Sequence, residues 1–335
     1  MSLISILKRK NKNTLFTTPS HSGKFCLFHK FYQWYKYDIS EVETYNPEEA
    51  LELAEKKASY IYSTKYTKFL TNGSTSGIIA SILACKPKKI AIWDKAHCCH
   101  YNGAKLSGAE IVYYELPLDE ELGTYKSITF EKVNQIILEN RPDTIVITSP
   151  TYEGFVADIK KISDLCKKND VILVVDEAHG ALYPFCDEVP ESAIKYADFT
   201  VQSLHKTAGG INPTALLHSN NIDPTEALKM ITTTSPSYPM LLTIEANINF
   251  LNSARCRKFL KTLILNIKEL GIVQLNDDPT KILLKGGVDI SEKLYRNYGI
   301  EDERTNNKTT MLLCGVGTTE AKIKRLEKAL RNLGF

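Results

Sequence analysis

VILVVDEAHG, residues 171–180, is an apolar run of strand length that ends on an acid, and thirty positions after Asp176 a second strand-like run, VQSLHKTAGG (residues 201–210), ends at Lys206. An unbroken apolar run between turn signals reads as a strand buried on both faces, as in a parallel sheet covered by helices. Ligands of such sheets bind beyond the carboxyl ends of the strands. Asp176 and His179 occupy that position after the first run, and Ser203, His205 and Lys206 after the second. A lysine amine there can form a Schiff base with an aldehyde. A carboxylate there can keep a pyridine nitrogen protonated, so that the ring accepts electrons from a carbanion. The loop TNGSTSG, residues 71–77, adds small hydroxyl residues and glycines at a helix start, where a phosphate is cradled. The three features together predict pyridoxal 5'-phosphate (PLP) as cofactor.

Outward from that stretch, apolar runs alternate with helical patterns from about residue 47 to about residue 220. Residues 47–63 read as a helix with Pro47 in its first turn. Strands are predicted near 66–70 and over 89–93, 110–115, 143–149, 171–176, 198–203 and 214–219, with helices such as STSGIIASILAC and ITFEKVNQIILEN between them. The expected fold class is α/β, a mainly parallel seven-stranded sheet covered on both faces. Beyond about residue 240 comes one long helix or two in tandem, then strand, helix, strand, helix, with Thr318 and Thr319 placed to cap the last. The expected organisation is an N-terminal arm (1–46), a large cofactor-binding domain (47–245) and a linking helix with a small C-terminal α+β domain (246–335).

Composition narrows the function. The 335 residues are 43% hydrophobic and 24% charged, which is ordinary for a globular chain able to bury a sizeable core. A net charge of +3, with basic residues scattered among acids, speaks against a nucleic-acid binder. The apolar part of MSLISILKRKNKN is too short for a membrane span or signal segment, so the chain is expected to be cytoplasmic, with no membrane partner. Eight cysteines without a CxxC pair fit reduced thiols. His97-Cys98-Cys99-His100 lacks the usual metal-ligand spacing, and no metal is expected. A nucleotide-binding enzyme would show GxGxxG after its first strand, which is absent.

TNGSTSG (71–77), LSGAE (106–110), SPTYEGFVADI (149–159), VDEAHGAL (175–182), QSLHKTAGG (202–210) and TSPSYPML (234–241), in that order, resemble the major domain of the ornithine/lysine/arginine decarboxylase family. The resemblance implies the aspartate-aminotransferase type of fold (fold type I), a homodimer with active sites at the interface, and loss of the α-carboxyl group from arginine, lysine or ornithine. It implies that Lys206 carries the cofactor as a Schiff base, that Asp176 pairs with the pyridinium nitrogen and that His97 stacks on the ring. Ser74, Thr75, Ser76, Ser203 and His205 are implied at the phosphate, with His179 beside the cofactor and Thr234 and Ser235 as further contacts. TAGGIN after the lysine departs from the family's LGALTQ-like stretch, which implies an altered wall near the substrate. A basic substrate side chain calls for a carboxylate, and Asp38, Glu41 and Glu153 are the candidates by position. The same cofactor residues also serve an aminotransferase, another lyase or a catalytically idle PLP-binding homologue. Polyamine synthesis and acid resistance both suit the implied product.

Overall fold

The computed structural model describes residues 14–16 and 47–335; Asp38, Glu41 and most of the expected N-terminal arm lie outside the described residues. Helix α1 (Pro47–Tyr62) leads into a sheet of seven strands: β1 (Tyr66–Leu70), β2 (Lys89–Trp93), β3 (Glu110–Tyr114), β4 (Thr144–Thr148), β5 (Ile172–Asp176), β6 (Phe199–Ser203) and β7 (Ala215–Ser219). Their spatial order is β1-β7-β6-β5-β4-β2-β3, and β7 alone runs antiparallel to its neighbours. This is the mainly parallel seven-stranded sheet expected from the apolar runs. Ile90, Ala91 and Ile92, Ile145, Val146 and Ile147, and Leu173, Val174 and Val175 are buried throughout, because helices cover both faces of the sheet.

Helices α2 (Gly73–Cys85), α3 (Cys98–Ser107), α4 (Phe130–Asn140) and α5 (Ile159–Lys168) cross between the strands, and α6 (Thr225–Ile231) follows β7. Gly77 lets α2 lie directly on the sheet, since a Cβ there would sit 2.7 Å from Leu70 Cδ1 and 2.7 Å from Val201 Cγ1. The tandem-helix alternative holds beyond residue 237: α7 (Tyr238–Leu251) and α8 (Ala254–Lys268) break at Asn252 and Ser253, and Ser253 Oγ caps α8 by accepting from Cys256 N at 3.1 Å. The C-terminal unit has β8 (Lys281–Lys285), α9 (Gly287–Tyr298), β9 (Arg304–Thr305), β10 (Thr309–Leu313) and α10 (Glu320–Leu333). Thr319 caps α10, accepting from Lys322 N, while Thr318 Oγ1 accepts from Gly315 N at 3.0 Å instead. One apolar core continues from Tyr62 and Phe69 through Ile244 and Leu260 to Leu284, Leu312 and Leu326.

Register fixes where the sheet ends. Thr148 pairs with Asp176, and Asp176 with Val201, so the carboxyl ends of β4, β5 and β6 form one edge. At the far side of the sheet, β7 buries His218, whose Nδ1 is 2.9 Å from Thr67 Oγ1 on β1, while its Nε2 has no partner among the described residues. Burial pushes the His218 pKa down to about 3. The unfolded chain therefore takes up a proton near pH 6.5 that the folded chain refuses until about pH 3, and stability falls as pH drops through that window. Urea unfolding should show wild type losing about 1.4 kcal/mol more per pH unit between pH 6 and pH 4 than His218→Asn. Equal slopes would mean that this histidine is not held neutral.

Candidate active site

The acid at the end of β5 faces inward while its neighbour faces the scaffold. Glu177 accepts from Ser192 Oγ (2.6 Å), Ala193 N (2.7 Å) and Gln202 Nε2 (2.6 Å), which ties the end of β5 to β6. Burial pushes its carboxyl up to about 7 against these donors. Asp176 lines a cavity of about 600 Å³ at the carboxyl edge of the sheet. Its Oδ1 accepts from Ala178 N at 3.1 Å and its Oδ2 lies 2.9 Å from His100 Nε2. Burial alone would raise its pKa, but the hydrogen bond and charge of His100 and the charge of Lys206 outweigh that, and the carboxyl is held below its ordinary range.

Lys206 lines the same cavity from the turn after β6. Removal from water lowers its pKa, Asp176 opposes that shift, and the Lys281 charge adds to it. An amine so placed has a larger uncharged, nucleophilic fraction than a surface lysine. His97, Asp176, His179, His205 and Lys206 all line the cavity. His97 also caps α3, its Nδ1 accepting from Cys99 N at 3.3 Å, and its pKa is lowered chiefly by burial, so a neutral ring faces the cavity.

The start of α2 closes one side. Gly73, at φ +75°, turns the chain into the helix in a conformation that a side chain disfavours. Asn72 makes no side-chain cap, which leaves first-turn amides and the positive end of the helix dipole beside Ser74 and Thr75, both lining the cavity. Both ring nitrogens of His179, which lines the cavity, have no partner among the described residues, and neither do Ser203 Oγ and Thr207 Oγ1, buried behind the lining. Unspent hydrogen-bonding groups of that kind are costly without a ligand. An anion site, an amine and a buried carboxylate around one cavity fit PLP.

The opposite wall comes from the loop after β4 and from the C-terminal unit. Tyr152 Oη donates to Glu303 Oε1 at 2.5 Å and its ring packs edge-on against His179 at 4.7 Å. Arg304, on β9, lines the cavity, pairs with Glu153 at 3.1 Å and lies 4.9 Å over the Tyr152 ring. Glu153, the only one of the three acid candidates within the described residues, lines the cavity as a buried carboxyl whose pKa burial raises despite Arg304.

Other expected residues fall elsewhere. Ser76 turns its hydroxyl onto Gly73 O at 2.9 Å and does not line the cavity. Ser203 is fully buried behind the lining. Thr234 and Ser235 are exposed between α6 and α7, away from this chain's own cavity. The sequence reading weighed His100 only as a metal ligand and passed over Tyr152, Glu303 and Arg304. Spacing holds one signal for His100, which lies three residues after His97 and hence one turn along the helix that His97 caps. Cys99, His100 and Asp176 also bring sulfur, nitrogen and oxygen within 4.8 Å of one another. The 2.9 Å separation is that of a hydrogen bond, and burial raises the Cys99 thiol pKa, so the group is a hydrogen-bonded pair beside a neutral thiol.

Comparison with known proteins places this geometry. The family model described as Orn/Lys/Arg decarboxylase, major domain, matches residues 8–272. An arginine decarboxylase of Halalkalibacterium halodurans is 28% identical over 325 residues, covering 87% of this chain and 66% of that protein. Lysine decarboxylase A of Pseudomonas aeruginosa superposes with a TM-score of 0.76 at 15% identity, covering 94% of this chain and 56% of the other. SPT solved with PLP superposes with a TM-score of 0.70 at 16% identity, covering 96% and 88%. The chain thus spans about two thirds of the arginine decarboxylase and just over half of the lysine decarboxylase, and its fold is that of PLP-dependent fold type I enzymes. Lys206→Ala should abolish the visible absorbance that bound PLP gives when linked to a lysine, while far-ultraviolet circular dichroism stays unchanged. Retention of the wild-type spectrum would assign the link to another lysine.

Proposed function

This chain belongs to the Orn/Lys/Arg decarboxylase family, whose cofactor is PLP, and on that premise we propose that it removes the α-carboxyl group of arginine, lysine or ornithine, releasing the amine and carbon dioxide. The observation that carries the reading is the convergence of Lys206, buried Asp176 and His97 on one cavity whose far wall holds a buried carboxyl, Glu153. PLP bound there supplies an electron sink for the bond being broken. Lys206 offers the amine that holds it. Asp176, kept ionised, holds the proton at the pyridine nitrogen, and His97 presents a flat neutral ring beside it. Ser74, Thr75 and the start of α2 receive the phosphate, and His179 and His205 complete the wall. The substrate's basic end shares Glu153 with Arg304, a charge-assisted contact that selects for ammonium or guanidinium.

Arg304 is also the observation that favours a second reading. A guanidinium that grips the α-carboxylate stabilises the group a decarboxylase must expel, and so would suit an aminotransferase, which keeps it. Glu153 already neutralises Arg304, which supports the first reading. We further propose a cytoplasmic homodimer, with exposed Thr234 and Ser235 reaching the partner's cavity and the amine feeding polyamine synthesis. No helix among the described residues is long and apolar enough to cross a membrane, and the seven described cysteines are free.

The PLP-loaded protein, given a panel of amino acids, should release carbon dioxide from at least one basic amino acid. Keto-acid formation without carbon dioxide would select the second reading. Asp176→Asn should retain PLP yet lose about a hundredfold or more in kcat, since the pyridine proton loses its counter-charge.

A further inference from the structure

Behind Asp176 sits a histidine whose side chain, among the described residues, hydrogen-bonds only to Asp176. His100 is 1% exposed, its Nε2 is 2.9 Å from Asp176 Oδ2, and its Nδ1 is sealed from solvent with no partner among the described residues. A carboxylate only accepts, so the proton of this hydrogen bond resides on Nε2. The second nitrogen is a dead cost to folding. A leucine or methionine in the same place would fill the space without burying an unpaired ring nitrogen. The imidazole's one side-chain hydrogen bond among the described residues is therefore spent on Asp176.

The geometry is suited to that task. Asp176 is anchored at both oxygens, Oδ1 by Ala178 N at 3.1 Å and Oδ2 by His100, so the carboxylate cannot rotate without breaking one of them. Each oxygen still has a lone pair for a further donor. His97 and His100 divide the work of one helical turn: the first caps α3 and lines the cavity, and the second is buried against the acid. We propose that His100 is a positioning residue that holds Asp176 as an ionised, correctly aimed acceptor for the ring nitrogen of PLP. The proposal rests on the cofactor reading above but not on which bond of the substrate breaks.

Loss of one hydrogen bond to a charged acceptor weakens the ring-nitrogen proton about tenfold to a hundredfold. The test uses holoenzyme loaded with PLP labelled with ¹⁵N in the ring. In His100→Met the nitrogen signal should move toward the unprotonated position, kcat should fall about tenfold or more, and KM should hold. His100→Gln, whose amide can still donate to Oδ2, should keep the wild-type signal. A protonated ring nitrogen in His100→Met, or equal losses in the Met and Gln variants, overturns the proposal. Should His100→Met fail to fold, wild type decides: the His100 Nε2–H proton resonance must shift when PLP is added to apoprotein, and an unmoved resonance overturns the proposal. Absence of carbon dioxide release would defeat the decarboxylase reading while leaving these signals as predicted. A wild-type protein that binds no PLP defeats the cofactor reading and this inference together.

Discussion

Everything in the site depends on holding opposite charges, Asp176 and Lys206, out of water at the edge of neighbouring strands. Water would weaken their interaction severalfold, and the protein spends most of its local structure on exclusion. Each ion shifts the other: the lysine charge helps keep the acid ionised, and the acid limits how far the lysine amine is depressed. Neither state is stable alone in an apolar interior, since an isolated buried charge neutralises instead. The parallel register that sets Asp176 opposite Val201, five positions before Lys206, is what brings the two to one cavity.

A second buried pair braces the first from the C-terminal unit. Lys281 and Asp278 are fully buried together, and Asp278 also accepts from Tyr183 Oη at 2.7 Å and Thr280 Oγ1 at 2.6 Å. Tyr183 belongs to the segment that follows Asp176, so the network clamps the DEAHG turn to β8. The Asp277 carboxylate takes Val156 N at 2.8 Å, and Asn276 Nδ2 donates to Glu153 O at 2.6 Å, which fixes the loop after β4. Buried ion pairs of this kind contribute less to net stability than to specifying one arrangement. Here Arg304 lines the cavity and Glu303 meets Tyr152 of its wall, and the Lys281 charge reaches both His179 and Lys206.

The central strands were legible because each is a short apolar run bounded by turns, a pattern created by burial on both faces and therefore written locally. Asp176 and Lys206 were legible for a related reason, as polar residues placed just past such runs. Ser76 shows the limit of that reasoning. It sits in a hydroxyl-rich stretch like its neighbours, but helical rotation turns it onto the backbone of its own first turn. The tandem helices were ambiguous because an amphipathic period runs through Asn252 and Ser253 without interruption, and the cap at Ser253 makes the break.

The amino-acid sequence by itself determined the order of strands and helices, the mainly parallel sheet, and which polar residues stand at its carboxyl edge, because periodicity and strand ends are local properties. Only the tertiary structure decided that His100 lies against Asp176, 76 residues away, and that Tyr152 meets Glu303, 151 residues away. Those contacts arise from how α3 packs on the sheet and how the C-terminal unit docks. Spacing along the chain puts His100 one turn after His97 but encodes neither of these long-range contacts.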